Sequence, residues 1–137
     1  DVINWIHKPG LPRLNPISGV YTSLPDHCNY KYLIDIEGCG YSGRVKHLLH
    51  TGRPLFYVKR YWQEYFSFDL EPFVHYIPVE NDMSDFYEKL EWAFDNDAEC
   101  EKIAKNAQEF AINNLKKEDA VDKWTDILVS LGGISNE

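Results

Sequence analysis

Ser42 and Arg44 put a hydroxyl and a guanidinium two residues apart, directly after a turn broken by Gly38, Gly40 and Gly43. The surrounding stretch, KYLIDIEGCGYSGRVKHLLHTGRPLFYV (residues 31–58), reads as a strand, a glycine loop, a short basic helix and a second strand. Tyr32, Leu33, Ile34 and Ile36 are apolar and mostly β-prone, and Asp35 and Glu37 fall at the C-terminal end of that strand. Gly38 and Gly40 free the backbone for a tight turn. Ser42 is placed to cap the helix and Arg44 lies inside its start. Unpaired N–H groups, a positive dipole end, a hydroxyl and a planar cation together suit a phosphate. The spacing matches neither G-x-G-x-x-G nor G-x-x-x-x-G-K-[ST]. It therefore leaves two readings open: an anion site, or a plain βα connection with a solvated arginine.

A second group lies just past the second strand. Trp62 and Tyr65 suit either a stacked base or core packing, with packing the expected role. Glu64 is placed to accept hydrogen bonds from ribose hydroxyls, or to be a surface acid on a short helix. Lys59 and Arg60 are expected to be a solvated pair. His75 is expected to pack rather than act as a base, because no carboxylate partner is evident, and His7 and His27 are expected to be structural or exposed. No Asp-x-Asp pair is found, and Cys28, Cys39 and Cys100 have no zinc spacing, so no metal is expected. An odd cysteine count leaves at least one outside any internal pair; buried thiols are the expectation.

Composition limits the partners. The 137 residues are 44% hydrophobic and 15% aromatic, enough for one folded domain. Residues 1–60 carry eight Lys/Arg and four Asp/Glu, a net of +4, whereas residues 61–137 carry six and eighteen, a net of −12. Positive charge thus gathers around the glycine turn, which fits a small anion and not a nucleic-acid backbone. There is no apolar run long enough to span a membrane, no signal peptide and no N-x-[ST] sequon, and the first residue is Asp1, so a fragment is expected. The compartment stays open.

The elements that must position these groups follow from periodicity and punctuation. Residues 1–26, with Pro9, Pro12, Pro16 and Pro25, read as an extended arm or a remnant of an interdomain connection, and residues 27–137 as the domain. Strands are predicted over 30–36, 55–58 and 75–79, and helices over 43–50, 59–66, 84–94 and 97–115. A last helix, 118–131, is predicted to bury Val121, Trp124, Leu128 and Leu131 and to stop at Gly132 and Gly133. This order predicts an α/β domain with a small parallel, Rossmann-like sheet flanked by helices.

KYLIDIEG, YSGRVKHLL, the Trp62-x-Glu64-x-Phe66 triplet, PFVHYIPV, NDMSDFYEKLEWA and IAKNAQEFA occur in one order at specific distances. In these six segments, from about His27 to Leu115, the chain resembles glycosyltransferase family 90, which includes protein O-glucosyltransferases and fungal capsule xylosyltransferases. The resemblance implies the donor-binding half of a two-domain GT-B enzyme that inverts configuration while moving a sugar from a UDP-sugar to a hydroxyl acceptor on a protein or glycan. It places the family's diphosphate-gripping, catalytic arginine on Arg44. It also implies that Gly38, Gly40, Tyr41, Ser42, Gly43, Trp62 and Glu64 line the donor site. The family's general-base aspartate lies in the N-terminal half and has no counterpart here, so the isolated chain is expected to be inactive. The family's members are often luminal in the endoplasmic reticulum or Golgi. The alternative is a non-catalytic nucleotide-binding or protein-interaction module of the same fold.

Overall fold

A computed structural model describes residues 22–38 and 40–132. The arm predicted over 1–26 therefore falls mostly outside the described residues, as do His7, Cys39 and Gly133. Strand β1 is Leu33–Asp35, helix α1 Val45–His50 and strand β2 Leu55–Val58. Strand β3 is Ile77–Val79, followed by helices α2 Phe86–Asp95, α3 Asp97–Asn114 and α4 Lys117–Ser130. The strands form one parallel sheet in the order β1-β2-β3, with Leu33 opposite Leu55 and Phe56 opposite Ile77. This is the predicted Rossmann-like α/β arrangement.

Side chains of β2 alternate between two cores, as the period of a strand requires. Leu55 joins Leu33, Val45, Leu48, Leu49, Phe66 and Leu70 on one face. Phe56 and Val58 join Ile77, Val79 and Ala93 on the other. Helix α3 serves both: Cys100 and Ile103 enter the second cluster, and Ala107 and Ala111 enter the first. Small residues at these positions let α3 lie close to α1. Gly52, at φ +65°, turns the chain from α1 towards β2, and a Cβ there would come within 3.1 Å of the Gln108 side chain.

Several predicted elements differ. β1 and β3 are shorter than expected; Tyr30 is exposed, and His75 and Tyr76 precede β3, with a bridge between Pro72 and Tyr76. The helix predicted over 59–66 does not form, and a 3-10 turn, Ser67–Asp69, comes after it. The N–H of Glu64, which a helix would direct at the Arg60 carbonyl, goes instead to Ser67 Oγ (3.1 Å), while Glu37 accepts hydrogen bonds from the N–H of Tyr61 (3.4 Å) and Trp62 (3.0 Å). Asp85 and Asn96, not Ser84 and Asp97, occupy the N-cap positions of α2 and α3. The largest correction is α4. Val121, Trp124, Leu128 and Leu131 carry the predicted stripe but are 46–78% exposed, because that face turns away from both cores. Polar ties hold α4 instead: an ion pair from Lys123 to Asp69 (3.6 Å) and a capping box in which Asp119 accepts the Lys116 N–H.

The two kinds of apolar helical position should separate cleanly on truncation. Leu49 is 0% exposed, so Leu49→Ala is expected to lower unfolding free energy by about 2–5 kcal/mol. Leu128→Ala should change it by no more than about 0.5 kcal/mol. Urea midpoints of the two variants, compared with wild type, check both expectations.

Candidate functional site at the C-terminal edge of the sheet

Asp35 is the last residue of β1 and is 0% exposed. Because Leu33 and Asp35 share a face of the strand, the fold carries this carboxylate into the interior with its apolar neighbour. A buried carboxylate needs partners, and three converge on it. Ser42 Oγ donates to Oδ1 at 2.8 Å, and Arg44 Nη2 approaches the same oxygen at 3.1 Å. Arg60 Nη1 donates to Oδ2 at 2.6 Å.

The two arginines differ in kind. Arg60 has a side chain only 2% exposed; its Nη2 donates to the Asp35 carbonyl (2.9 Å) and its Nε to that of Val58 (3.1 Å). Its guanidinium also lies over the Tyr57 ring, 4.0 Å from the centroid. Every face of this cation is occupied, so the expected solvated Lys59–Arg60 pair is corrected for Arg60; Lys59 alone is exposed, 3.5 Å from Glu80. Arg44, by contrast, is 53% exposed and is held through one nitrogen, Nη2, which also donates to the Ile36 carbonyl at 3.3 Å. Among the described residues, its Nη1 and Nε have no partner.

The remaining predicted residues surround this cluster. Ser42 does not cap α1, whose N-cap position is Arg44 itself; the hydroxyl is committed to Asp35. A Cβ at Gly38, Gly40 or Gly43 would meet nothing within 4 Å, so no side chain of the described residues crowds this turn. Tyr41 is exposed, and so is Trp62, whose expected role in core packing is corrected; Trp62 instead lies edge-on to Tyr61, with ring centroids 5.3 Å apart. Tyr65 is partly buried against the first core.

Glu64 is not the surface acid of a short helix. Its side chain is 12% exposed, with Oε2 4.0 Å from Lys46 Nζ and Oε1 shielded from solvent with no partner among the described residues. Burial pushes its pKa up; Lys46 and Arg60 oppose this and Asp35 adds to it. His75 packs as expected: its Nδ1 accepts the Glu71 N–H (3.0 Å), its ring lies 5.2 Å from Phe110, and burial lowers its pKa. Cys100 is buried but Cys28 is exposed, against expectation for the latter. Among the described residues no group of three or more His, Cys, Asp or Glu could hold a metal, and no helix is long and apolar enough to cross a membrane.

A parallel sheet with a glycine turn at its C-terminal edge is shared by many nucleotide-binding folds; comparison with known proteins narrows it. The family model for glycosyl transferase family 90 matches residues 18–133. The chain belongs to glycosyltransferase family 90. It is 43% identical over 105 residues to protein O-glucosyltransferase 1 of Rattus norvegicus, covering 77% of this chain and 27% of the relative. It is 36% identical over 110 residues to O-glucosyltransferase rumi of Drosophila pseudoobscura pseudoobscura (79% and 27%). Protein O-glucosyltransferase 2 of Danio rerio is 39% identical over 95 residues (69% and 19%). The chain thus spans about a quarter of the length of the first of these relatives.

For this family 90 chain, sequence reasoning singled out Arg44 and its turn as candidates but missed the groups that hold them. Asp35 was recognised only as a strand-end acid. Its two-residue offset from Leu33 was the available signal, since a charged side chain on the buried face of a strand demands compensation. Arg60 lies 25 residues from Asp35, and nothing in local pattern links them.

Glu64 provides a test with a defined sign. A carboxyl whose folded-state pKa is raised contributes fully below the ordinary glutamate range, and this contribution is lost as pH rises through the raised value. Glu64→Gln removes that loss. The stability of the variant relative to wild type should therefore increase from pH 4 to pH 7. Denaturant midpoints at four pH values check this; a difference independent of pH would show that Glu64 ionises freely in the fold.

Proposed function

We propose that this edge binds the diphosphate of a UDP-sugar and forms the donor half of an inverting glycosyltransferase acting on a hydroxyl acceptor. The observation that carries the reading is Arg44: anchored through Nη2, half exposed, and with Nη1 and Nε lacking a partner among the described residues. A planar cation fixed at one corner is prepared for a two-pronged phosphate contact without ordering a long side chain on binding.

The chemistry follows from charge development. When the bond from the sugar to the β-phosphate oxygen breaks, negative charge grows on the leaving diphosphate. Arg44 then interacts more strongly with the transition state than with the bound donor, and the barrier falls. This assigns charge neutralisation to a side chain and needs no metal. Ser42, whose proton points to Asp35, keeps its lone pairs free and stiffens the turn from below. A hydrogen bond from a donor hydroxyl to Glu64 requires its side chain to turn outward, since Oε1 is shielded from solvent. Tyr41 and Trp62 offer exposed rings for the base. The general base that takes the acceptor proton is supplied by a segment outside these 137 residues.

Arg44→Ala is expected to weaken UDP binding by about 1.5–3 kcal/mol, the scale of a hydrogen bond to a charged group. Arg44→Lys should recover only part of this, and UMP should be less affected than UDP. NMR titration of the 137-residue chain with both nucleotides measures all three. Equal UDP affinity in wild type and a folded Arg44→Ala variant would remove the reading.

The chain alone should hydrolyse or transfer no sugar from UDP-glucose, because half a cleft leaves the donor in water. Turnover by the purified chain, followed by release of UDP, would refute the division of labour between this segment and the base.

A further inference from the structure

Asp35 and Arg44 raise an electrostatic difficulty. A carboxylate 3.1 Å from the guanidinium meant to bind an anion orients it but also cancels its charge. A one-to-one Asp–Arg pair is a neutral object and a poor partner for a diphosphate. Arg60 resolves this. It engages the other oxygen, Oδ2, at 2.6 Å, and its side chain is 2% exposed, so it cannot reach a ligand at the rim. Asp35, Arg44 and Arg60 together carry a net charge of +1, and the arginine at the surface is Arg44.

We propose that Arg60 is a positioning residue for the donor site: by neutralising Asp35 from beneath, it lets that carboxylate hold Arg44 in place while Arg44's charge stays available to the phosphate. This rests on the donor-phosphate reading above. The local structure fits the assignment. Arg60 follows β2 by two residues and Asp35 ends β1, so adjacent parallel strands bring the pair together at the site's edge. Two backbone carbonyls and the Tyr57 ring take up the rest of the Arg60 guanidinium, which fixes it below the sheet edge and leaves no route to solvent. A single carboxylate thus separates a buried cation that supplies charge from an exposed one that supplies contact.

The test uses charge reversal of effect rather than simple loss. Arg60→Met leaves Asp35 to neutralise Arg44, and UDP affinity of the 137-residue chain should fall by roughly tenfold, with uridine affinity unchanged. Asp35→Asn/Arg60→Met removes both buried charges and restores +1, so it should regain most of that affinity despite carrying the more extensive change. Arg60→Lys, which keeps the charge but not the fork, should stay within about threefold of wild type. An Arg60→Met variant that binds UDP like wild type, or a double variant no better than Arg60→Met, would overturn the proposal. If Arg60→Met does not fold, the other two decide it: both carry +1, and tenfold losses in both would overturn it. Loss of UDP affinity in Arg44→Ala with none in Arg60→Met would leave the donor reading standing and remove only this inference.

Discussion

A carboxylate with no solvent access cannot be left unpaired, and in this domain that requirement falls on Asp35. Meeting it binds together three pieces of chain that have little else in common: the strand that carries it, the glycine turn with Ser42 and Arg44, and the segment leaving β2 with Arg60. Removing one partner of such a buried ion pair typically costs about 3–5 kcal/mol, more than most single contacts in a core. The loop beyond β2 is fixed in the same way from the neighbouring acid, since Glu37 takes two of its amides. The acids at the end of β1 therefore set the shape of the edge, and the arginine at the rim inherits its position from them.

This explains why the site has so few conventional features. The glycine turn lacks a recognised phosphate fingerprint, and α1 is only six residues long, so little anion binding can come from helix-end amides. The positioning is instead done by side chains on a rigid sheet edge. Such an arrangement is compatible with the family's name and with the partial span of the relatives that the chain matches. A short segment can hold an ordered side-chain cluster when its order depends on a buried ion pair and not on a closed cleft.

The parts of this legible in sequence were those governed by local period. β2 was read residue for residue, because a compact apolar run between Pro54 and Lys59 has one reasonable interpretation. The extent of α3 was equally clear, predicted over 97–115 and found at Asp97–Asn114. Three things were not legible. The segment 59–66 has helical spacing, but it is tied to Glu37 at Tyr61 and Trp62 and to Ser67 at Glu64. Arg60 and Asp35 are paired by strand adjacency, which no window of sequence contains. The α4 stripe has the pattern of a core helix, yet periodicity reports only that a face is apolar, not what faces it. At the site, Arg44 was found through chemistry, and the groups around it had to wait for tertiary structure.

The double membership of α3 has a consequence for how this domain comes apart. Its first turns belong to the core containing Phe56 and Ile77, and its later turns to the core containing Leu49 and Leu55. A rigid helix shared in this way acts as a mechanical link, so loosening either face pulls on the other. Partial melting of one layer is then disfavoured, and the sheet with its flanking helices behaves as one cooperative unit. Among the described residues, α4 is the helix that neither core includes, so its detachment would leave both cores intact.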